Sequence, residues 1–333
     1  MTMHVSTKVS FFELTTFHIG GPAAFYTEIE NIEELREAVS FAQEKNLPVL
    51  ILGGGSNMLV SDKGFDGLVI HPKLKGFAID GETVSIAAGE NWDECAQRIV
   101  DAGLWGTENL SFVPGDVAGL AIQNVGAYGQ EARSVITSVD VYDTISNSQF
   151  SISNDECKFG YRKSIFNVQK GRYVVLGLTL KLSKNGEPNT TYGLKPGTLQ
   201  EMRDQVIAIR KSKGQDPSEY WSAGSFFKNP IITEEQYAKL PAGAPGFRTP
   251  LPPYGKGETE GVKVPAGYLL DKVCDLKGLT VGGAKLSELQ VINIINFNNA
   301  TADDVLTLFK KARDIVYQKT GIMLENEPEL VGF

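Results

Sequence analysis

The sequence predicts an α+β protein of two domains, and three observations carry that prediction. Its 333 residues exceed what one core of about 150 residues usually organises. Helical and strand patterns alternate through the first half of the chain. A polar, turn-rich stretch at residues 183–188 then separates that half from a second run of pattern.

Taken in order, Ile32, Leu35, Ala38, Val39 and Ala42 recur at helical spacing and mark one helix face. Residues 48–52 are a continuous apolar run stopped by Gly53-Gly54-Gly55, the form of a buried strand entering a tight loop, and Met58-Leu59-Val60 continues as a strand. Trp92, Cys95, Ala96, Ile99 and Val100 share a second helix face, with Asn91 as N-cap and Gly103 at its close. Residues 84–88, 135–142, 150–152 and 173–182 are β-branched or alternating and predict strands. Beyond the boundary, Leu199, Met202, Val206 and Ile209 predict a third helix, and residues 241–257, crowded with Pro and Gly, predict an irregular loop. Thr301 and Asp304 predict a capping box with Asp in place of Glu, opening a helix whose face of Val305, Leu308, Phe309, Ala312 and Ile315 stops before Gly321.

Hydrophobic residues at 42% and charged residues at 22% are the proportions of folded soluble proteins, which excludes a disordered, collagen-like or coiled-coil chain. A net charge of −8 argues against nucleic-acid or anionic-membrane partners, so any phosphate has to be held locally. Cys95, Cys157 and Cys274 are odd in number, widely spaced and outside any CxxC pair, which suggests neither a disulfide framework nor a zinc site and fits a reducing compartment. Residues 1–12 lack a basic region followed by an apolar stretch, and no run approaches the roughly 18 apolar residues of a spanning helix. A cytoplasmic, soluble monomer is expected.

Five segments carry chemistry. Gly53-Gly54-Gly55-Ser56-Asn57 follows an apolar strand and suits backbone N–H groups curling around an anion. It is neither a Walker A loop nor the GxGxxG fingerprint, and three glycines alone more often mark a turn. Residues 114–129 are rich in small residues without a helical or strand period, so a flat ring system could lie against them while Gln123 and Asn124 address its edge; a buried loop is the plain alternative. Phe159-Gly160-Tyr161-Arg162 sets a guanidinium beside aromatic rings, suited to a carboxylate, although a surface ion pair is the commoner use of such an Arg. Ser225-Phe226-Phe227-Lys228-Asn229 sets a hydroxyl, an ammonium and an amide around an aromatic pair, and Glu325, Glu327 and Glu329 bring three carboxylates to the end of the chain. His4, His18 and His71 fall in no metal-ligand or nucleophile pattern, so no metal and no Ser-His-Asp triad is expected.

In this order, Gly53 to Asn57, Ile122-Gln-Asn-Val-Gly-Ala-Tyr-Gly129, Phe159-Gly-Tyr-Arg-Lys-Ser164, Gly224-Ser-Phe-Phe-Lys-Asn-Pro230 and Glu327-Pro-Glu329 resemble the UDP-N-acetylenolpyruvoylglucosamine reductase family across nearly the whole chain. Thr191-Tyr192-Gly193-Leu194 resembles the substrate-covering loop of its first subtype. The resemblance implies a two-part FAD-binding domain of the vanillyl-alcohol-oxidase (PCMH) type over residues 1–190, divided near residue 70. It implies a C-terminal α+β substrate-binding domain over residues 191–333, whose final segment returns to the active site.

The implied enzyme is an oxidoreductase, a UDP-N-acetylmuramate dehydrogenase of peptidoglycan precursor synthesis, and so of cell-wall biogenesis, cell shape and division. NADPH reduces noncovalent FAD and leaves, and UDP-N-acetylglucosamine enolpyruvate is then reduced in the same cleft. The implied FAD contacts are Gly53, Gly54, Gly55, Ser56, Asn57, Gly115, Gly119, Ile122, Gln123, Asn124, Gly126 and Ala127. Arg162 matches the catalytic arginine on the substrate carboxylate, Ser225 the proton donor and Glu329 the catalytic glutamate, with Glu327 as the alternative acid. Tyr161, Tyr192, Lys213, Asn229 and Gln290 match substrate contacts, Lys213 having the alternative of a solvated helix-end charge. Gly119-Leu120-Ala121 departs from the hydroxyl residues common there in the family, which leaves backbone donors for the diphosphate. Competing expectations are an FAD oxidase of the same wider fold, which leaves Ser225 and Arg162 without a task, and a sugar-nucleotide-binding protein without turnover.

Overall fold

The computed structural model describes residues 3–249 and 261–333. They form two compact units, one of residues 3–9, 23–55 and 65–211, the other of residues 10–22, 56–64, 212–249 and 261–333. Strands and helices are mixed in both.

In the first unit, Val49–Ile51 and Pro22–Ile29 each run parallel to Phe65–Pro72, within a sheet whose outer strand is Ser6–Ser10. A parallel pair needs a crossover, and helix Ile32–Glu44 supplies it. Its Leu35, Ala38, Val39 and Ala42 are buried with Ile29, Leu68 and Ile70, so the sequence periodicity is the packing face. Asn31 caps it, Oδ1 accepting from the Glu34 N–H at 2.9 Å.

A second, antiparallel sheet follows, in the order Ser148–Ser153, Ile136–Asp143, Tyr173–Lys181, Thr83–Ala87, Phe77–Asp80. Helix Trp92–Asp101 packs Trp92, Cys95, Ala96 and Ile99 into its core, with Asn91 as the expected cap. Burial pushes the Cys95 and Cys157 thiols up to about 12, which keeps them protonated and unreactive.

The expected boundary at 190/191 falls inside this unit. Helix Leu199–Ser212 buries Met202 and Val206 with Leu194, and Trp105, Tyr128 and Ile209 pack against them, so the helix is held by first-unit side chains. The assignment of residues 10–22 and 56–64 to the second unit also departs from the expected contiguous halves.

The second unit has an antiparallel sheet in the order Ser222–Ser225, Asn293–Asn296, Ala284–Leu286, Thr280–Val281. Helix Ala302–Thr320 buries Val305, Leu308, Phe309, Ala312 and Val316 in its core and ends at Gly321, whose φ of 70° is the left-handed cap that glycine favours. Phe247–Thr249 is a strand paired with Gly261–Lys263, where an irregular loop was expected, and residues 250–257 of that expectation lie outside the described residues. Among the described residues no helix is long and apolar enough to cross a membrane.

The capping box closes as read. Thr301 Oγ1 accepts from the Asp304 N–H at 3.0 Å, and the Asp304 carboxylate accepts from the N–H groups of Thr301 at 3.1 Å and Gly283 at 3.2 Å. The Thr301 backbone N–H, foremost, holds the Asp304 pKa below its ordinary 3.8. A depressed folded-state pKa stabilises above the unfolded value and ceases to do so as pH falls through the folded one. Asp304→Asn is therefore expected to lose about 1 kcal/mol at pH 7 in urea unfolding, with the gap to the parent narrowing as pH drops below 3.8.

Candidate active site

The loop at residues 53–55 leaves its strand through Leu52, which is fully buried and donates its N–H to the Ile70 carbonyl at 2.8 Å. A Cβ on Gly54 would lie 2.6 Å from Gly115 Cα, so two main chains approach where no side chain fits. At Gly53 and Gly119 the Cβ direction is open. Gly115, at φ 111°, starts a turn fixed by main-chain bonds: Trp92 N–H to Gly115 O at 3.0 Å, Val117 N–H to Glu90 O at 2.9 Å and Ala118 N–H to Ala88 O at 3.1 Å. Two facing backbones bare of side chains make a surface suited to a phosphate or a flat ring.

Residues 118–123, expected to lack a period, form a short helix burying Leu120 and Ala121, with Gly119, Ile122 and Gln123 half-buried. One turn and a half is too short to leave a periodic signature. It ends at Asn124, left-handed at φ 41°, after which Gly126–Ala127 pairs with Gln130–Glu131. Asn124 differs from the expectation of an amide aimed at a ring edge. Its side chain is buried, with Nδ2 donating to Gly160 O at 2.9 Å and Glu131 at 3.3 Å, and Oδ1 accepting from the Arg133 N–H at 3.0 Å.

Asn124 thus ties down the turn that carries Tyr161 and Arg162. Gly160 and Lys163 bridge across it, Asn167 Nδ2 donates to the Arg162 carbonyl at 3.0 Å, and Ser164 caps the next helical turn. Arg162 sits at φ 54°, a region that side-chain-bearing residues enter at a cost and that clusters at functional positions. Its Nη1 lies 3.4 Å from Gly126 O, which aims the guanidinium toward the glycine-rich segment.

A polar run lies beneath. Thr107, Glu108, Asn109 and Ser111 are each at most 1% exposed. Glu108 accepts from the Gly106 N–H at 2.7 Å and from Gln130 Nε2, and Gln130 Oε1 accepts from the Asn109 N–H at 2.8 Å. Asn109 Nδ2 donates to Tyr128 O at 2.8 Å and to Asn189 O at 2.9 Å, joining the glycine-rich segment to the turn bearing Tyr192. Tyr192 is itself exposed and left-handed at φ 64°, edge-on to the Tyr128 ring at 6.4 Å. Burial raises the Tyr128 phenol above its ordinary 10, with Arg210 pulling it partly back.

In the second unit, Ser225 is half-buried at the end of its strand, after Gly224 at φ 69°. Phe226 and Phe227 are fully buried with ring centroids 5.5 and 5.2 Å from that of Phe309, which anchors the reactive segment by its aromatic pair. Asn229 Oδ1 accepts from the Ala266 N–H at 2.9 Å. The C-terminal carboxylates return to this segment: Lys228 N–H donates to Glu325 O at 3.0 Å and Glu327 N–H to Phe226 O at 2.9 Å. Glu329–Val331 then pairs in parallel with Met58–Val60, and the Glu329 N–H donates to Asn57 O at 2.9 Å. Ser56, Asn57, Ser225, Glu327 and Glu329 are thus gathered by main-chain pairing, while Lys213 and Gln290 are half-buried in the same unit.

Residue patterns miss Asn109, Glu108 and Gln130, although an unbroken polar triplet directly before an apolar residue was a visible sign. They also miss Asn293, the cross-strand partner of Ser225, which is fully buried with both side-chain amide atoms lacking a hydrogen-bond partner.

Residues 23–145 match the family model described as an FAD binding domain, and residues 216–331 match that of the UDP-N-acetylenolpyruvoylglucosamine reductase C-terminal domain. A UDP-N-acetylenolpyruvoylglucosamine reductase of Streptomyces coelicolor is 39% identical over 96% of this chain and 88% of its own. One from Pasteurella multocida is 37% identical over 95% and 94%. The crystal structure of the UDP-N-acetylenolpyruvylglucosamine reductase of Thermus caldophilus matches with a TM-score of 0.72 at 28% identity, covering 99% of each chain.

Asn109→Ala is expected to cost about 1–3 kcal/mol, because it removes both hydrogen bonds of a fully buried amide, to Tyr128 O and Asn189 O. Hydrogen exchange should localise the loosening to residues 128–130 and 189–193, the segments that the amide joins.

Proposed function

The chain belongs to the UDP-N-acetylenolpyruvoylglucosamine reductase family, and from that premise we propose that it reduces UDP-N-acetylglucosamine enolpyruvate to UDP-N-acetylmuramate, with FAD as resident cofactor and NADPH as reductant. The observation that carries this reading is the union of an FAD-binding half and a reductase C-terminal half in one chain. The step belongs to peptidoglycan precursor synthesis, and we place it in the cytoplasm, upstream of cell shape and division.

The residues present fit FAD. Gly53 and Gly119 leave room beside the main chain, and the close approach of Gly54 and Gly115 keeps side chains out, so that backbone would meet its diphosphate in place of hydroxyl side chains. Gly126, Ala127, Ile122 and Gln123 supply small or half-buried surface for its ring, Ser56 and Asn57 extend the first loop, and Asn124 contributes by shaping the segment. Attachment is noncovalent in this reading: the His18 ring lies tilted against Trp221, ring centroids 4.5 Å apart, and its Nδ1 is engaged by Phe12 O at 2.9 Å. Bound FAD supplies hydride chemistry that no side chain can.

The substrate gains a hydride at its methylene carbon and a proton at the neighbouring carbon. Between these events negative charge rests on that neighbouring carbon and spreads into the attached carboxylate, where it has to be met as it develops. Arg162 pairs with the carboxylate, and the turn that fixes its backbone spares the reorganisation a free side chain would require. Glu329, in its protonated form, donates a hydrogen bond to the same oxygens. Ser225 Oγ delivers the proton to carbon; a hydroxyl is a weak acid, but the charged carbon is a strong base and the anchored Phe226-Phe227 pair holds the donor in place. Tyr161, Tyr192, Lys213, Asn229 and Gln290 take the nucleotide and sugar.

Under anaerobic conditions NADPH should bleach the visible flavin absorbance, and the enolpyruvyl sugar should restore it; absence of recovery would exclude the reductase activity. Ser225→Ala is expected to bleach normally and recover at least ~100-fold more slowly, and recovery at the parent rate would remove Ser225 as donor. Gly54→Val should abolish FAD retention with an unchanged far-ultraviolet circular dichroism spectrum, since its Cβ meets Gly115 Cα at 2.6 Å.

A further inference from the structure

Phe112 is a bulky residue in the left-handed region, at φ 60°, immediately before the loop at residues 113–119. Such a conformation persists only where the surroundings over-determine it. Here its peptide groups are gripped from both sides. The Phe112 N–H donates to Asp93 Oδ1 at 2.5 Å, and its carbonyl accepts from Arg210 Nε at 3.0 Å. Lys211 Nζ stands 5.4 Å from the centre of its ring.

Asp93 does not act alone. The Arg203 guanidinium, 5% exposed, holds both its oxygens, Nη1 to Oδ1 at 2.7 Å and Nη2 to Oδ2 at 3.0 Å, while Arg203 Nε donates to Gln97 Oε1 at 2.6 Å. The carboxylate therefore has one available orientation, and that orientation puts Oδ1 on the Phe112 N–H. Asp93 stands in the first turn of helix Trp92–Asp101, whose first N–H bonds to Gly115 O. One helix start thus grips the 113–119 loop at Phe112 and again at Gly115.

We propose that Asp93, oriented by Arg203, is a positioning residue for FAD: it holds Phe112 left-handed and so sets the shape in which Gly115 and Gly119 meet the nucleotide. The inference rests on the FAD reading above. The pair belongs neither to the segments that resemble the family nor to any residue that touches the loop's open face. Its function is to hold a strained backbone in the ligand-ready form before the ligand arrives.

The test must separate this from a purely structural ion pair, since removing Asp93 alone strands a buried cation. Three full-length variants are compared with the parent for FAD dissociation constant and melting temperature. Arg203→Met retains the acceptor for Phe112 and should bind FAD within about threefold of the parent, although it melts lower. Arg203→Met with Asp93→Ala loses the acceptor and should bind FAD about tenfold more weakly still, equivalent to ~1.4 kcal/mol. Adding Phe112→Gly, which adopts positive φ without the side-chain penalty, should recover most of that affinity while the melting temperature stays low. A purely structural pair would give no difference in FAD affinity between the first two variants, or no recovery in the third, and either result overturns the proposal. Failure of the parent itself to bind FAD would overturn the FAD reading and this inference with it.

Discussion

The turn that carries Gly115 lies in no strand, and holding its shape is the constraint on which the first unit depends. Main-chain bonds, the short helix and the 126–127/130–131 strand pair give residues 113–131 part of their shape, and polar side chains fix the rest. Asn109, Asn124, Gln130 and Asp93 each bond main-chain groups of loops, Asn109 and Asn124 from inside the protein and Gln130 and Asp93 from half-buried positions. Inside, an unpaired polar group is costly, so every such bond is effectively obligatory and the loop has few alternative shapes. The Arg162 turn depends on the same device, since Asn124 reaches Gly160 and Asn167 reaches Arg162.

The second unit solves the problem differently. Its reactive segment is held by apolar burial of Phe226 and Phe227 against Phe309 and by strand pairing on either side. Ser225 needs no polar tether because the backbone that carries it is already immobilised. The carboxylates of residues 325–329 come as part of a main chain paired first with residues 226–228 and then with residues 57–60.

The sequence made the regular elements legible because their causes are local. Asn91 and Thr301 cap the helices they were read to cap, and the apolar periods of residues 32–42 and 305–312 are the buried faces. What escaped was non-local. Residues 10–22 and 56–64 carry no local mark of belonging with residues 212–333, because their partners are distant strands. The Phe247–Thr249 strand is three residues long and the 118–123 helix six, too short for a period to show. The chemistry-bearing segments were visible as compositional oddities, whereas Asp93 and Arg203 carry no such mark, because only the fold brings them to Phe112.

The pairing of Glu329–Val331 with Met58–Val60 also bears on how the protein is made. During synthesis the Met58–Val60 strand emerges early, yet its hydrogen-bonding edge stays unmatched until residues 329–331 have been added. The first unit, complete by residue 211, can settle while the ribosome is still at work. The second closes only once residues 329–331 are free to pair, so premature termination near residue 325 would leave an apolar strand edge open to another molecule. The carboxylate at residue 329 is thus tied to the closing of the second unit as well as to the proposed chemistry.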